Sequence, residues 1–279
     1  MEIKIEELSE NYARFVLSDA SPETANALRR VLLSEVPKMA IENVEFHLGQ
    51  IHDQEGREYE SISPLFDEIV AHRLGLVPIP TDLDLMVERS KCTCGGEGCP
   101  SCQIIYSMQC YGPTEVFSGD LKPLGDATLA VKDEHIPITR LGEGQGAFIY
   151  AYAELGTAKR HAKWQGTSGV AYRHSPKVKI DASKCDNGGT CIGVCPKDVF
   201  KVEGKGKVVV AEEKACILCN QCIKICKTKA ISLGIDEGKF IFEFETDGSL
   251  SAKKTLTVAL DILEKKFEAF REAISSLEA

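Results

Sequence analysis

Cys216, Cys219, Cys222 and Cys226 stand in the spacing C-x2-C-x2-C-x3-C, and nothing else in the 279-residue chain narrows its structure as much. Three thiolates separated by pairs of residues wrap one corner set of an iron–sulfur cubane, and the fourth, one residue further on, is sent to a different site. A segment of this kind couples its folding to its metal, because so few residues hold little apolar core of their own. Upstream, Cys185, Gly188, Cys191 and Cys195 repeat the spacing, with glycine at the second position and Pro196 directly after the last cysteine. Zinc is the competing occupant, since four thiolates also suit a tetrahedral structural site.

The two runs together resemble a bacterial two-cluster ferredoxin. In that family the last cysteine of each run ligates the other run's cluster. The resemblance therefore implies one complete 4Fe–4S site made by Cys195, Cys216, Cys219 and Cys222. The second site is left with Cys185, Cys191 and Cys226, and Gly188 stands where a ligand would be. It is similar to ferredoxin sites that hold a 3Fe–4S cluster; the alternative is a 4Fe–4S cluster completed by solvent or by Asp186. Lys227 departs from the family pattern, which has proline there.

The remaining cysteines need a compartment before they can be read. Met1 to Glu6 alternates charged with apolar residues and lacks the apolar core of a signal peptide, and no run elsewhere is long enough to span a bilayer. The expectation is a cytoplasmic protein with reduced thiols, so its twelve cysteines point to metal rather than to disulfides. Cys92, Cys94, Cys99 and Cys102 form a compact loop whose glycines, Gly95, Gly96 and Gly98, allow tight turns. This is the pattern of a structural zinc knuckle with no open coordination position. Cys110 has no partner at metal spacing and reads as a small buried residue. His161 and His174 read as packing or surface contacts.

The chain exceeds the usual size of one domain, so two or three units are expected. With 43% hydrophobic and 27% charged residues it can build ordinary cores, and its net charge of -9 disfavours independent binding to nucleic acid. Protein partners fit better. Ile3 and Ile5 alternate with charges, then a turn near Asn11 leads to Tyr12–Leu17, which together read as a hairpin. Ser21, Pro22 and Glu23 signal a helix start, and the helix runs to about Val36, with Pro37 ending it. From 40 to 154 the sequence is strand-rich and broken by glycine and proline. Gly142, Gly144 and Gly146 precede an alternating strand rather than a helix, so they read as a turn and not as a phosphate loop. Lys177–Ile180 leaves the body as a strand, the cysteine-dense stretch continues to about Leu233, and Lys239–Glu245 resumes the body. Ser251 caps a long final helix with apolar positions Leu256, Leu260, Leu263, Phe267, Phe270 and Ile274. Their alternating steps of four and three suit a seam against another helix, within the chain or on a partner.

The segment from Asn26 to Pro37 resembles the first helix of the RNA polymerase alpha-subunit family. His72 to Pro80 resembles a second signature of that family, and Arg160 to Trp164 and Phe244 to Leu250 resemble stretches of its archaeal D-subunit branch. The resemblance implies an α+β fold: an alpha-subunit-like discontinuous dimerisation domain (1–40, 165–180 and 234–279) with an inserted β-rich lobe carrying the cysteine-rich loop (41–164) and an inserted ferredoxin-like domain (181–233). It also implies a non-catalytic assembly subunit of an archaeal DNA-dependent RNA polymerase. Such a subunit pairs with the small subunit L and recruits the small zinc subunits N and P and the large catalytic subunits. The dimer interface it implies comprises Leu28, Arg29, Arg30, Leu32, Leu256, Leu260, Leu263, Phe267 and Phe270. An electron-transfer iron–sulfur protein or oxidoreductase subunit is the alternative; it fits residues 181–233 and leaves the flanks unexplained.

Overall fold

The computed structural model describes residues 1–204 and 206–277. The chain opens with strands Glu2–Leu8 (β1) and Tyr12–Ser18 (β2), followed by helix Pro22–Ser34 (α1), strands Lys38–Phe46 (β3), Gly49–His52 (β4) and Glu58–Ser61 (β5), and helix Asp67–Gly75 (α2). After the cysteine-rich loop come Gln103–Tyr111 (β6), Thr114–Phe117 (β7), Lys122–Pro123 (β8), Pro137–Leu141 (β9), Gln145–Gly156 (β10) and Thr167–Ile180 (β11). The second cysteine-dense stretch holds helix Thr190–Val194 (α3), strands Phe200–Glu203 (β12) and Lys207–Val210 (β13), and helix Gln221–Ile225 (α4). Ile231–Thr246 (β14) and helix Ala252–Ser275 (α5) complete the described elements.

Chain contacts divide these elements into two compact units. One comprises Met1–Glu7, Arg14–Asn26 and Ala171–Glu243; the other comprises Leu8–Ala13, Ala27–Val170 and the stretch from Phe244 onward. In the first unit, β1, β2, β14 and β11 line up in that order as one sheet. Phe15 stacks on Phe242 with ring centres 5.1 Å apart, and Tyr172 stacks on Phe242 at the same separation. Phe240, Ile241 and Phe242 are buried in succession, the pattern of a strand covered on both faces. The first half of β14 is instead largely exposed, and Gly234 and Gly238 interrupt its apolar pattern. Because β11 and β14 are sheet neighbours, the stretch 181–230 leaves and returns at adjacent strands. Its small core combines Val178, Val199, Phe200, Val208 and Ile231 with buried cysteines.

In the second unit a six-stranded sheet runs β4-β5-β10-β6-β8, and β3 also pairs with β10. β10 is its axis, antiparallel to β6 along one edge and, on the other, antiparallel to β3 over Ile149–Gly156 and parallel to β5 at Gln145–Gly146. Three of its buried residues are small: Ala147, Ala151 and Ala153 leave room for Val70 and Leu74 of α2 and for Tyr106 and Met108 of β6. The Tyr106 hydroxyl, buried in this core, donates to the Leu129 carbonyl at 2.7 Å. Gly142 and Gly144 form the turn before β10, with Gly144 at φ +70°, and no helix follows.

Helix α1 begins where the sequence places its signals. The Ser21 hydroxyl accepts from the Thr24 amide at 3.3 Å and Glu23 lies in the first turn, favourable at the positive end of the helix dipole. Its apolar stripe, Ala25, Leu28, Val31 and Leu32, is buried. At the other end of the chain the Ser251 hydroxyl accepts from the Lys254 amide and starts α5. Ala252, Thr255, Leu256 and Ala259 bury the first half of that helix, while Phe267, Phe270 and Ile274 are exposed. The two chain ends are joined directly: the Thr246 amide donates to the Asn11 carbonyl at 2.8 Å and the Ala252 amide to the Glu10 carbonyl at 2.7 Å. Nearby, Lys38 pairs with Asp247, and the Thr167 hydroxyl donates to the Leu32 carbonyl at 2.8 Å. No helix among the described residues is long and apolar enough to cross a membrane.

Trp164 is the largest fully buried side chain of the second unit. Its indole N–H donates to the Glu154 carbonyl at 3.0 Å, and Arg160 and Lys163, both paired with Glu42, lie 4.7 and 4.5 Å from its ring centre. The ring also lies against Gly156, where an added Cβ would stand 2.4 Å from a ring carbon. A rigid ring cannot yield as a flexible chain end would. Gly156→Ala is therefore expected to lower stability by about 1–3 kcal/mol through overpacking, read as a reduced denaturation midpoint; an unchanged midpoint would show that the ring is free to move.

Candidate functional site

The loop after α2 brings Cys92, Cys94, Cys99 and Cys102 together with all four Sγ atoms within 4.8 Å of one another. The path is set locally. The Gly95 amide donates to the Cys92 carbonyl at 3.1 Å, the Cys102 amide to the Cys99 carbonyl at 2.9 Å, and Gly98 takes φ +100°, a conformation that other residues rarely adopt. Arg89, paired with Glu154, donates to the Gly96 carbonyl at 2.7 Å and ties the loop to β10. Sulfur separations are 3.5 Å for Cys92 and Cys99, 3.7 Å for Cys94 and Cys102, and 3.8 Å for Cys99 and Cys102. Disulfide sulfurs stand about 2.05 Å apart, so these are separate thiols. Thiolates about 2.3 Å from one tetrahedral ion would lie about 3.8 Å from each other, and the four sulfurs fit that arrangement.

The electrostatics of the loop also call for a cation. The Gly98 amide, with the Cys92 thiol and the Gly96 amide, lowers the Cys94 thiol to about 6, while burial pushes Cys102 up to about 12. Several thiolates this close cannot coexist without a positive charge among them, and a bound ion would supply it.

The second cysteine-dense stretch sorts its thiols into two sets. Burial raises the Cys222 thiol, and the charges of Cys216, Cys219 and Cys195 raise it further. Burial likewise raises Cys191, with Cys185 and Cys226 as the neighbouring charges. Each run's last cysteine thus lies near the other run's thiols. Cys191 and Cys222 sit on α3 and α4, two short helices entered through left-handed residues, Gly189 at φ +70° and Asn220 at φ +62°.

Backbone amides are aimed at sulfur in both sets. Val199 donates to Cys195 at 3.4 Å, Leu218 to Cys216 at 3.5 Å and Ala230 to Cys226 at 3.3 Å. Cys226 is lowered by the Thr228 hydroxyl and then by the amides of Ala230, Ile231 and Thr228. Such donors stabilise ligated sulfur and tune cluster potential. Cys185, Cys191 and Cys226 line a cavity of about 170 Å³ together with Asp186, Gly188 and Lys227. All-sulfur donor sets, amides directed at them and a cavity beside one of them fit iron–sulfur clusters.

Three contributors were not singled out from sequence. Arg173 donates to the Cys216 and Lys214 carbonyls at 3.0 and 2.7 Å, Glu213 accepts from the Val178 amide at 2.7 Å, and Asn187 accepts from the Val208 amide at 3.1 Å. Only Asn187 carried a signal, an Asx residue ahead of Gly188-Gly189. His161 caps a turn beside Trp164, His174 packs on Phe240 and Cys110 is buried.

The residues expected at a dimer interface separate into two groups. Leu28, Leu32 and Leu256 are 2%, 2% and 7% exposed and pack within the chain itself. Arg29, Leu260 and Leu263 are half-buried and Arg30 is exposed. Phe267 and Phe270 are 62% and 65% exposed, and with Leu263 and Lys266 of α5 and Arg30 and Val31 of α1 they line a groove of about 340 Å³. Glu35 sits at its side, paired with Lys159 at 3.0 Å and with Lys266 at 2.5 Å. Two exposed phenylalanines beside an apolar groove are costly in water unless something covers them.

Comparison with known proteins shows what the chain is similar to. The model of the RNA polymerase Rpb3/Rpb11 dimerisation domain matches residues 14–267. DNA-directed RNA polymerase subunit Rpo3 of Thermoplasma volcanium is 43% identical, over 99% of this chain and 100% of the relative. The protein of the same name from Picrophilus torridus is 42% identical over 98% and 99%, and that from Archaeoglobus fulgidus 37% over 99% and 99%.

A consequence for the first loop is direct. Cys94→Ser is expected to remove about one bound divalent ion per chain and leave iron unchanged, by elemental analysis of the purified protein; retention of that ion would place it elsewhere.

Proposed function

The chain belongs to the RNA polymerase Rpb3/Rpb11 dimerisation family, and from this we propose that it is the non-catalytic assembly subunit of an archaeal DNA-dependent RNA polymerase, working in the cytoplasm. The observation that carries the reading is the family match over nearly the whole chain, on both sides of the cysteine-dense stretch. An electron-transfer role would account for residues 181–233 alone. Segments 1–40, 165–180 and 234–279 are proposed as the dimerisation domain, 41–164 as a β-rich insert and 181–233 as a ferredoxin-like insert.

The partner proposed for the exposed end of α5 is the small subunit L, and the heterodimer would then recruit the small zinc subunits N and P and the large catalytic subunits. The magnitudes set the extent of contact. Covering most of Phe267 and Phe270 removes roughly 200–300 Å² of apolar surface, which at about 25 cal/mol per Å² stabilises the pair by roughly 5–8 kcal/mol. Association costs roughly 4–15 kcal/mol, so the phenylalanines alone do not suffice. The contact must continue along the groove over Leu263 and Arg30, toward the 1,200–2,000 Å² or so typical of a stable interface.

Two kinds of metal are proposed to brace the inserts. A zinc ion on Cys92, Cys94, Cys99 and Cys102 would replace the core that so short a loop lacks. A 4Fe–4S cluster on Cys195, Cys216, Cys219 and Cys222, and a second cluster on Cys185, Cys191 and Cys226, would do the same for residues 181–233. The clusters supply folding energy and, where their potential suits, a redox response that couples assembly to oxygen or iron supply.

Phe267→Glu with Phe270→Glu puts two charges on exposed positions without touching the core. Copurification with the L subunit should fall by at least about a hundredfold, since each buried charge left unpaired costs several kcal/mol; undiminished pairing would reject this face as the interface. For the insert, Cys216→Ser with Cys219→Ser should make residues 181–233 protease-sensitive and weaken binding of the large subunits while pairing with L persists. Normal binding of both would remove any role of the cluster in assembly.

A further inference from the structure

The second cysteine set has three thiols, and the position of the fourth is occupied in an informative way. Gly188 stands where the spacing calls for a ligand, and a Cβ built on it would meet Asp186 Oδ1 at 3.4 Å, with Cγ and Oδ2 both at 3.7 Å. The Asp186 carboxylate therefore stands in ordinary contact beside the place where a side chain at 188 would begin. It faces the same cavity as Cys185, Cys191 and Cys226.

The carboxylate is held there by its own loop. Asp186 Oδ1 accepts from the Gly188 amide at 3.0 Å, an Asx turn that leaves Oδ2 unspent. The next residue, Asn187, is at φ +57° and its side-chain oxygen accepts from the Val208 amide on β13, so the turn is pinned on both sides. Lys227, which also lines the cavity, supplies a positive charge beside an anionic carboxylate and three thiolates.

We propose that Asp186 is the fourth protein ligand of the second cluster, giving that cluster four irons with one corner bound through carboxylate oxygen. This rests on the iron–sulfur reading of residues 181–233. Carboxylate oxygen is a harder donor than thiolate and holds iron in a sulfide core less firmly. The iron at the Asp186 corner would consequently be the one exchanged first: removal of one electron by an outer oxidant such as dioxygen would release it as ferrous iron and leave a three-iron core, and one electron from a reductant together with one ferrous ion would restore it. The insert would then carry one permanent cluster and one whose iron content follows supply.

The test uses the full-length chain, purified anaerobically with its polymerase partners and incubated with ferrous iron under reducing conditions. Asp186→Asn keeps an oxygen to accept the Gly188 amide but removes the anionic donor. It is expected to lower iron by about one atom per chain with acid-labile sulfide unchanged, because three-iron and four-iron clusters of this type hold the same sulfide. After mild oxidation it should show the EPR signal of a three-iron cluster at full intensity without the iron-dependent loss seen in the parent. Adding Gly188→Cys to this variant should restore the missing iron, since the added Cβ is at ordinary contact distance. Equal iron in the parent and Asp186→Asn, or a parent that holds three irons at this site under reducing conditions, would overturn the assignment of Asp186 while leaving the clusters in place. Absence of both iron and sulfide from the parent would instead reject the cluster reading itself, and this assignment with it.

Discussion

The architecture depends on closure between the two ends of the chain. Thr246 and Asn11 are 235 positions apart and share a backbone hydrogen bond, and Ala252 does the same with Glu10. In the first unit β2 lies beside β14, with Phe15 stacked on Phe242. Once the ends are joined, α1 and α5 can present a common groove, and everything between them becomes an excursion that must return. Loop-closure entropy rises only logarithmically with length, so long excursions cost little more than short ones provided that each is internally stable. Chain closure is thus the step on which the groove and the inserts both rely.

Internal stability is where the cysteines enter. The second unit has a full sheet with β10 as its axis, yet the loop from Cys92 to Cys102 has almost no core, and its four sulfurs lie within 4.8 Å of one another, where an ion would take the place of a core. The stretch between β11 and β14 pairs a few apolar side chains with seven cysteines. In both places the same physics applies: thiolates repel one another until a cation lies among them, so metal binding there would couple to folding. Oxygen or chelation would then act on the inserts, while the closed ends retain a core of aromatic and aliphatic residues.

Local signals were legible where chemistry is local. Ser21 and Ser251 mark helix starts, Pro37 marks an end, Ile3 and Ile5 mark a strand, and the spacing of Cys92, Cys94, Cys99 and Cys102 marks a loop that could hold a metal. Burial was less legible. Leu28, Leu32 and Leu256 carry the same helical periodicity as Phe267 and Phe270, but the first three are buried within the chain and the last two are mostly exposed. Periodicity reports that a face is apolar and is silent on what covers it. The length of β14 was hidden too, because Gly234, Asp236 and Gly238 break the apolar pattern of its first half. Asp186 escaped as more than one option among several, since its approach to Gly188 follows from an Asx turn rather than from ligand spacing.

The central claim is that the exposed end of α5, together with α1, is a surface for a protein partner. Hydrogen–deuterium exchange of the chain alone and mixed with the L subunit addresses it most directly. Amides from about 260 to 275 should exchange readily in the free chain and slow by at least about tenfold in the mixture, with a smaller slowing in 27–35 and little change in the β-rich insert. A complex that forms while exchange in α5 is unaltered would contradict the account.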